Sequence, residues 1–485
     1  MTGNVLAAWM LLGSSVLAAA GSDRAQPLNL DRLPEIGRVD PRYQSYNIEM
    51  AEVVGGRFWA PYANPQTDTQ PDVGKSGGSL GFAANLFRQR PPADLANARL
   101  RNMARALGPA YIRVSGSWAN KVFFQDDDRP RIATPPAGFE NVLTRRQWAG
   151  VLDFAKAVDG RITTSFAVSV GARDAAGVWS ADEARKLLRY TRDHGGEIHS
   201  AELINEPNLG TTAGLPAGYD AKAFARDIAT FRAFVANEAP GIKTVGPGST
   251  GETGVSLFDS RGLSSEKMLS TELRPLFDYL SYHFYGGRSQ RCARLAPTSA
   301  ILPKDALGEE WLARTDKALA FYKDLRDRHM PDAPIWLNET AQASCGGDRW
   351  AASFLDTFRY VDQLGRLAKQ GVSVVMHNTL AASDYGLIDE DGLTPRPNYW
   401  AASLWHRLMG EVVLDAGPIR PGLRYTLSAN ALQSETVLLN GKPLAMAGDA
   451  LPAMTGRKTR AGMLVLPPAS ITYVAFPKAA NAACR

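Results

Sequence analysis

The sequence predicts a (β/α)8 barrel followed by a smaller C-terminal β-sandwich, an α/β architecture that rests on three observations. Short apolar strands alternate with amphipathic helices over most of the chain. Beyond about residue 401 the helical periodicity gives way to short alternating runs. Two of the apolar strands deliver the same Asn-Glu pair, at Glu206 and at Glu339. Because a (β/α)8 barrel carries its active site at the carboxyl ends of its strands, both glutamates fit this architecture.

Length and composition indicate a soluble protein with more than one structural unit. A chain of 485 residues is too long for one small core. Its 45% hydrophobic and 21% charged residues are those of an ordinary globular protein. The net charge of +5 is modest, and the sequence has no long run of like charge. We therefore predict no nucleic-acid partner, while an acidic ligand is permitted.

The N-terminus carries an apolar run from Val5 to Ala20 that is followed by Gly21 and Ser22. Small residues at the end of such a run are typical of a secretory signal peptide, which we predict at residues 1–20. The alternative is an uncleaved membrane anchor, for which the run is short. No other stretch is long and apolar enough to span a bilayer. The mature chain is therefore predicted to be secreted or periplasmic, without a stable membrane span after signal removal.

The catalytic barrel is predicted over residues 43–400, and residues 23–42 form a linker with room for an extended segment. Eight strands are predicted, at Tyr46–Ala51, Tyr111–Ser115, Ile162–Ser169, Ala201–Glu206, Lys243–Gly246, Tyr279–Tyr285, Ile335–Thr340 and Val372–Leu380. Six helices are predicted between them, at Asn97–Leu107, Arg146–Val158, Ala181–His194, Ala221–Glu238, Glu309–His329 and Ser353–Gln370. Each helix has apolar residues three and four positions apart.

The last 85 residues, 401–485, are predicted to form the β-sandwich after one more short helical stretch. Four alternating runs support it, at Leu423–Ala429, Glu435–Leu439, Gly462–Leu466 and Ser470–Phe476. The dipeptide Asn440-Gly441 between apolar runs is a strong hairpin signal. A strand from residues 23–42 is a candidate to join this domain.

Glu206 is predicted at the tip of the fourth strand, because Pro207 has no N–H with which to continue a strand. Two carboxyl groups at the tips of the fourth and seventh strands, across a closed barrel, suggest the hydrolysis of a glycosidic bond, with Glu206 as general acid/base and Glu339 as nucleophile. A carboxyl that acts as an acid needs burial or a nearby negative charge, which Glu339 would provide. Asn205 is a candidate to bind a sugar hydroxyl. The alternative for each glutamate is an ion pair at a strand end.

Aromatic and histidine side chains at two other strand ends are further candidates. Tyr285 ends the sixth strand, where its hydroxyl could orient the Glu339 carboxylate. His283 either lines the pocket or belongs to an aromatic layer of the core. Tyr385 follows the eighth strand, where it either offers another hydroxyl to the pocket or belongs to a surface turn, and the residues alone favour the turn.

Two loops contain residues suited to an anionic ligand. Gly346 and Gly347 leave backbone N–H groups open to a carboxylate, or form an ordinary loop. Arg288, Arg291 and Arg294 follow the sixth strand. They either contact sulfate or carboxylate groups or form a solvated basic loop.

The three cysteines do not form a metal-binding pattern. Cys292 and Cys345 follow the sixth and seventh strands, which are neighbours in a barrel. A disulfide across the rim of the site and two free thiols both fit this placement. Cys484 has no obvious partner, so its state stays open. Since there is no C-x-x-C pair and the six histidines are scattered, we expect no metal and no cofactor.

Together these motifs resemble the heparanase and β-glucuronidase family of clan A glycoside hydrolases. Asn205–Asn208 is similar to the acid/base motif of that family, and Trp336–Thr340 to its nucleophile motif. Asn338 and Cys345 stand where animal heparanases have glycine and tyrosine. The segment between residues 117 and 144 is shorter than the excised linker of animal heparanases, which implies a single uncut chain. Further likeness extends over Leu107–Arg113, Gly371–Met376, Pro397–Trp400 and Val437–Gly441.

The resemblance implies a retaining endo-β-glucuronidase of heparanase type acting on an acidic polysaccharide, a glucuronic-acid-containing glycan such as heparan sulfate. It implies Glu206 as acid/base, Glu339 as nucleophile and Glu49 as an acidic contact of the sugar. The residues that it places beside the nucleophile and the uronic acid carboxylate are Tyr285, Gly346, Gly347 and Tyr385. An exo-β-glucuronidase, another clan A glycosidase and a non-catalytic glycan-binding protein stay open as alternatives.

Overall fold

The computed structural model describes residues 33–62, 86–252, 263–274, 276–295, 300–415, 422–458 and 466–476. The predicted signal peptide, residues 23–32 of the predicted linker and Cys484 lie outside these ranges. So does most of the predicted strand Gly462–Leu466. Among the helices in the described ranges, none is both long and apolar enough to cross a bilayer.

Strands and helices alternate along most of the described chain. The strands are β1 (Glu35–Arg38), β2 (Gln44–Glu49), β3 (Gly56–Trp59), β4 (Phe87–Arg90), β5 (Ala110–Ser115), β6 (Val122–Gln125), β7 (Asn141–Thr144), β8 (Gly160–Ser165), β9 (Ile198–Glu202), β10 (Lys243–Thr250), β11 (Tyr279–Tyr285), β12 (Ile335–Ala341), β13 (Val372–His377), β14 (Val412–Leu414), β15 (Leu423–Ser428), β16 (Leu438–Leu439), β17 (Lys442–Pro443), β18 (Arg457–Lys458) and β19 (Ile471–Ala475). The α-helices are α1 (Met50–Val54), α2 (Ala98–Ala106), α3 (Arg145–Ala157), α4 (Asp182–Asp193), α5 (Ala221–Glu238), α6 (Ser265–Leu269), α7 (Glu309–Leu312), α8 (Arg314–His329), α9 (Phe354–Lys369) and α10 (Pro397–Leu408).

The predicted barrel is confirmed. Eight parallel strands close in the order β2-β5-β8-β9-β10-β11-β12-β13, with β13 paired to β2. Every residue of β2, β5 and β12 is buried, as expected for strands covered on both faces. The covering layer comes from amphipathic helices such as α9, whose buried residues Tyr360, Leu364 and Leu367 recur at helical spacing.

The fourth barrel strand ends earlier than predicted. Strand β9 stops at Glu202, so Glu206 lies four residues beyond the strand and not at its tip. The backbone of Glu206 is left-handed, with φ 50° and ψ 58°, and a 3-10 helix begins at Pro207. The Glu206 N–H donates to the carbonyl of Gly248, 3.2 Å away on β10. The chain therefore turns across the top of the next strand, which carries Glu206 over the centre of the barrel.

Two insertions stand at the carboxyl end of the barrel. The antiparallel hairpin β3–β4 follows the first barrel strand, and the parallel pair β6–β7 follows the second. In the hairpin the rings of Trp59 and Phe87 stack with their centroids 4.6 Å apart. Trp118 lies at the start of the second insertion, and its ring meets Phe58 edge to face at 5.3 Å. The insertions thus place aromatic side chains beside the strand ends.

Beyond α10 the described chain forms a smaller antiparallel sheet of five strands, in which β15 pairs with β16, β18 and β19. The predicted hairpin is confirmed, because Asn440 and Gly441 have φ 52° and 82° between β16 and β17. The Tyr473 hydroxyl donates to the carbonyl of Ala401 at 3.1 Å, which fixes the sheet to α10. Strand β1 pairs with β14 in a separate two-stranded sheet.

Candidate active site

A pocket that is open to solvent lies at the carboxyl end of the barrel. Six of the nine predicted site residues line it, namely Glu49, Asn205, Glu206, Tyr285, Glu339 and Tyr385. The other three, His283, Gly346 and Gly347, lie directly behind its wall. The structure therefore brings the nine predicted residues together around one pocket, at the carboxyl end of the barrel, which is where the site was predicted.

Glu339 lies on β12 and is held by three neighbouring side chains. The Tyr285 hydroxyl donates to its Oε1 at 2.7 Å, and Arg113 Nη1 donates to its Oε2 at 2.8 Å. His283 Nδ1 lies 3.5 Å from the same Oε2. The carboxylate is 7% exposed. Both of its oxygens are therefore fixed, and the group can neither rotate nor withdraw from the pocket.

Glu206 approaches the same space from the loop after β9. Its Oε1 lies 3.1 Å from His283 Nδ1, and its side chain is 12% exposed. His283, Glu206 and Glu339 each place one nitrogen or oxygen atom within 4.8 Å of the others. One oxygen of Glu206 thus lies within 4.8 Å of one oxygen of Glu339. Retaining glycosidases hold their two carboxyl groups about 5–5.5 Å apart, and inverting enzymes about 6.5–9.5 Å apart.

The surroundings shift the pKa values of the two carboxyl groups in opposite directions. Burial and the repulsion of Glu339 raise the pKa of Glu206 above its ordinary value of 4.5, although His283 partly offsets this. Burial alone would also raise the pKa of Glu339, but His283, Arg113 and the Tyr285 hydrogen bond together lower it. One carboxyl thus tends to keep its proton while the other tends to be ionised. Such a pair is suited to act as acid and nucleophile.

His283 links the two glutamates. Its Nδ1 lies 3.1 Å from Glu206 Oε1 and 3.5 Å from Glu339 Oε2, and its Nε2 lies 3.3 Å from Arg113 Nη2. The two protons of Nη2 go to its shorter contacts, with Glu202 and Asn205. His283 is 1% exposed and does not reach the pocket surface. Its place is behind the two carboxyl groups, where it orients Glu206.

Behind the pocket, Arg113 is the centre of a buried charge network. Its Nε donates to Glu202 Oε1 at 2.8 Å, and its Nη2 donates to Asn205 Oδ1 at 2.7 Å. Asn338 Nδ2 donates to the second Glu202 oxygen at 3.0 Å. Arg113 and Glu202 are both 1% exposed. The positive charge of Arg113 therefore compensates the negative charges of both Glu202 and Glu339. Its hydrogen bond to Asn205 also orients that amide at the pocket wall.

The opposite wall contains Glu49 and the two tyrosines. Asn378 Nδ2 lies 2.9 Å from the Tyr285 hydroxyl, 3.2 Å from Glu49 Oε1 and 3.4 Å from the Tyr385 hydroxyl. Burial and the charge of Glu339 raise the pKa of Glu49 well above its ordinary value. These surroundings favour the protonated form of Glu49. Its Oε2 lies so close to Gly116 that a Cβ at that position would overlap it.

Gly346 and Gly347 shape the wall from behind, while Ser344 and Cys345 form its surface. Both glycines have φ of 82°, in the left-handed region that glycine adopts without strain. A Cβ on Gly346 would come within 2.6 Å of Trp59 Cβ. Only glycine therefore fits at position 346 in this part of the wall.

Cys292 and Cys345 form a disulfide, which resolves the two alternatives that the sequence left open. It joins the loop after β11 to the loop after β12, and backbone hydrogen bonds from Ser344 N to Gly287 O and from Ser289 N to Ser344 O run beside it. Because Cys345 lines the pocket, the disulfide fixes the rim of the site.

Removing this disulfide is expected to lower stability. The bond closes a loop with a sequence separation of 53 residues, and a cross-link of this kind contributes about 2–4 kcal/mol. The double variant Cys292→Ala/Cys345→Ala should therefore show a free energy of unfolding lower by about that amount. Chemical denaturation checks this, with the reduced wild type as the matched control. Equal stability of oxidised wild type and double variant would refute a stabilising role.

The arginines after β11 are not a solvated loop. Arg288 is 1% exposed. Arg291 donates to Asp384 Oδ2 at 2.8 Å, and its guanidinium lies 3.8 Å from the ring centroid of Tyr62. The Arg291 side chain is 7% exposed, so its charge is paired with Asp384 inside the protein and not with solvent. The solvated-loop interpretation is wrong for these two residues, and the Arg294 side chain lies outside the described part.

Several residues of the site were not predicted from the sequence. They are the aromatic wall residues Phe58, Trp59 and Trp118, the network residues Arg113 and Glu202, and the amide of Asn378. One feature of the sequence could have indicated Arg113, because it is a charged residue in the middle of an apolar strand. Charged residues are buried only when paired, so such an arginine points to a partner on a neighbouring strand.

The site also meets a geometric condition for metal binding. Glu206, His283 and Glu339 offer three ligand atoms within 4.8 Å. However, the Arg113 guanidinium lies 2.8 Å from Glu339 Oε2 and already compensates its charge. A cation bound here would face this fixed positive charge. The donor set therefore suits proton transfer better than metal coordination.

Comparison with known families gives one match over most of the barrel. The sequence profile described as glycosyl hydrolase family 79, N-terminal domain, matches residues 92–365. This range is more than half of the 485-residue chain. It begins before α2 and extends into α9, and it contains both Glu206 and Glu339.

Two curated relatives show the extent of the likeness. Heparanase-like protein 1 of Arabidopsis thaliana is 25% identical over 338 residues, covering 66% of this chain and 59% of the plant protein. Hyaluronoglucuronidase of Hirudo nipponia is 25% identical over 379 residues, covering 70% of this chain and 71% of the leech protein. The alignment thus spans less than two thirds of the length of the plant relative.

Solved structures support the fold. A 4-O-α-L-rhamnosyl-β-D-glucuronidase from Fusarium oxysporum 12S superposes with a TM-score of 0.54 over 92% of this chain and 98% of its own. The two sequences are 14% identical. At that identity the likeness bears on the architecture of the barrel and the sheet domain alone.

Proposed function

The chain belongs to glycosyl hydrolase family 79, and we propose that it is a retaining β-glucuronidase of heparanase type. Its substrates are glycans that contain glucuronic acid. The observation that carries the proposal is the pair Glu206 and Glu339, whose oxygens approach within 4.8 Å and whose pKa values are shifted in opposite directions. That approach is closer to the roughly 5–5.5 Å carboxyl spacing of retaining enzymes, which form a covalent intermediate, than to the roughly 6.5–9.5 Å of inverting enzymes.

In the first step Glu206 donates its proton to the glycosidic oxygen while a Glu339 oxygen attacks the anomeric carbon. The bond from that carbon to the leaving sugar breaks, and a glycosyl ester on Glu339 forms. In the second step Glu206, now a carboxylate, takes a proton from water, and the resulting nucleophile attacks the anomeric carbon. The ester breaks, Glu339 is released as a carboxylate, and the sugar keeps its β configuration.

The site supports both roles of Glu206. While Glu339 is ionised, its negative charge and the burial of the site keep Glu206 protonated. Formation of the ester removes that charge, so the pKa of Glu206 falls at the point where a base is needed. Tyr285 and Arg113 hold Glu339 in place throughout, and they donate again to the carboxylate when it is released.

The proposed contacts to the sugar lie around this pair. Asn205 and Glu49 face the hydroxyl groups, and the uronic acid carboxylate lies against the loop of Gly346 and Gly347 and the hydroxyl of Tyr385. Two relatives whose names refer to heparanase and to a hyaluronoglucuronidase support a glucuronic acid substrate. The proposed partner is thus an acidic polysaccharide, met outside the cytoplasm by a secreted or periplasmic protein. The proposal includes no nucleic-acid partner and no cofactor.

The pH dependence of kcat/KM should be bell-shaped. Activity needs ionised Glu339, whose pKa lies below 4.5, so the rate falls as pH drops through that lower value. It also needs protonated Glu206, whose pKa lies above 4.5, so the rate falls again as pH rises through that higher value. Hydrolysis of an aryl β-glucuronide with a poor leaving group, measured across pH, checks this. The alkaline limb should disappear in Glu206→Ala; its persistence would show that another group is the acid.

The substrate is tested with defined oligosaccharides. The purified protein is incubated with heparan sulfate and hyaluronan oligosaccharides and with an aryl β-glucuronide, and Glu339→Ala is the control. Internal cuts that vanish in the variant support endo action of heparanase type. Release of terminal glucuronic acid alone makes the protein an exo-β-glucuronidase. Binding of the oligosaccharides without any hydrolysis would make it a glycan-binding protein and overturn the proposal.

A further inference from the structure

We propose that Asn378 is a positioning residue that directs the hydroxyl proton of Tyr285 at the nucleophile Glu339. This inference rests on the proposed role of Glu339. It concerns a residue just beyond the end of β13 whose amide nitrogen is hydrogen-bonded to Tyr285 and Glu49 and not to Glu339 or Glu206. Asn378 borders the pocket but is only 1% exposed, and the side chains packed around its amide lie between it and the nucleophile.

The amide nitrogen of Asn378 has fewer protons than it has oxygen atoms within hydrogen-bonding distance. Three oxygens surround Nδ2, those of Tyr285 at 2.9 Å, Glu49 at 3.2 Å and Tyr385 at 3.4 Å. An amide nitrogen carries two protons, so the two shortest contacts, to Tyr285 and Glu49, take them. The Tyr385 hydroxyl is then left to turn toward a ligand in the pocket.

The contact to Tyr285 determines where its proton points. A tyrosine hydroxyl rotates, and it has one proton to donate and lone pairs with which to accept. Asn378 Nδ2 can only donate, so the Tyr285 oxygen accepts on that side. Its proton then points to the other neighbour, Glu339 Oε1, at 2.7 Å. Burial and the charge of Glu339 raise the pKa of Tyr285 well above its ordinary value, so the proton stays on the hydroxyl.

This orientation matters for the carboxylate because hydrogen bonds in a chain strengthen one another. With Asn378 donating to its oxygen, the Tyr285 hydroxyl is a better donor to Glu339. The charged and titratable groups that face this chain are Glu49 on β2, Arg113 on β5, Glu206 after β9, His283 on β11 and Tyr385 after β13. Replacing Asn378 also removes the hydrogen bond to Glu49, so the Tyr285→Phe background is needed to separate the effect on the Tyr285 hydroxyl from the effect on Glu49.

The variant Asn378→Leu removes the donor and keeps similar volume, and Asn378→Ala serves if the leucine variant does not fold. In the wild-type background kcat on an aryl β-glucuronide should fall about 5- to 10-fold, the equivalent of one hydrogen bond, with a smaller change in KM. The acidic limb of kcat/KM should move to higher pH by roughly half a pH unit. Melting temperatures establish that each variant is folded.

The decisive comparison uses the Tyr285→Phe background. If Asn378 acts through the Tyr285 hydroxyl, the second substitution should leave kcat and the acidic limb of the Tyr285→Phe enzyme unchanged within about twofold. A loss of the same size in both backgrounds would show that Asn378 acts independently, and it would overturn the inference.

A second readout does not depend on turnover. Protein labelled with carboxyl-13C glutamate reports the titration of Glu339 by NMR, with Glu339→Gln assigning the resonance. We expect a higher pKa for Glu339 in Asn378→Leu than in wild type and no difference in the Tyr285→Phe background. Equal pKa values in wild type and Asn378→Leu would refute the inference. If wild type hydrolyses no β-glucuronide, the proposed function fails, and the titration still decides the role of Asn378.

Discussion

The variant Glu339→Ala is expected to lower kcat on an aryl β-glucuronide by about four orders of magnitude or more, because it removes the atom that forms the covalent bond. The loss should be similar for all leaving groups, since no glycosyl ester can form. Steady-state kinetics on purified protein measure it. The exposed Glu197, at the amino end of β9, offers a matched control, and Glu197→Ala should keep wild-type activity.

External nucleophiles separate a chemical loss from a structural one. Azide that enters the space vacated by the Glu339 side chain should attack the anomeric carbon of an activated β-glucuronide directly. The product expected is α-glucuronyl azide, with inverted configuration. Activity of Glu339→Ala within tenfold of wild type would remove Glu339 from the role of nucleophile.

The second large effect is expected for Glu206→Ala. Without the acid, hydrolysis of glycans with poor leaving groups should slow by about 10²- to 10⁴-fold. An aryl glucuronide whose leaving group is already a weak base needs no protonation, so its first step should be almost unaffected. The second step loses its base, and the glycosyl ester should therefore accumulate and appear as a burst of released phenol.

Azide again gives a distinct result with this variant. It attacks the accumulated ester without needing a base, so turnover should recover, and β-glucuronyl azide should form with retained configuration. The melting temperature should stay near that of wild type because Glu206 lies in a loop at the pocket surface. Equal losses for good and poor leaving groups would argue against Glu206 as the acid.

Much of the barrel was predictable from the sequence because its signals are local. Strand Tyr279–Tyr285 was predicted with its observed bounds, and Ile335–Thr340 fell one residue short of β12. Parallel strands buried on both faces are continuous apolar runs that contrast with the helices between them. A polar pair such as Asn338-Glu339 at the end of such a run therefore stands out, and the position of Glu339 followed from it.

The position of Glu206 was predicted less well because it depends on a tertiary contact. Pro207 shows that the strand must end, but it does not show where. The left-handed turn at Glu206 is held by the carbonyl of Gly248, which lies on the next strand of the barrel. No local pattern contains that contact, so the sequence placed Glu206 at a strand tip and the structure placed it four residues further along.

The supporting residues were the least predictable part of the site. Asn378 and Arg113 act through partners that lie 93 and 226 positions away along the chain, at Tyr285 and Glu339. Periodicity and local motifs carry no information on such pairs. The Cys292–Cys345 disulfide is intermediate, because neighbouring strands made it feasible while the loop geometry that permits it became visible only in the structure.

The configuration of the first sugar released tests the central claim most directly. Hydrolysis of an aryl β-glucuronide is followed by proton NMR at high enzyme concentration, before the anomers of free glucuronic acid equilibrate. Two carboxyl groups within 4.8 Å predict that the β anomer appears first, with the α anomer growing only at the rate of spontaneous equilibration. Initial release of the α anomer would contradict the assignment of Glu339 as a nucleophile.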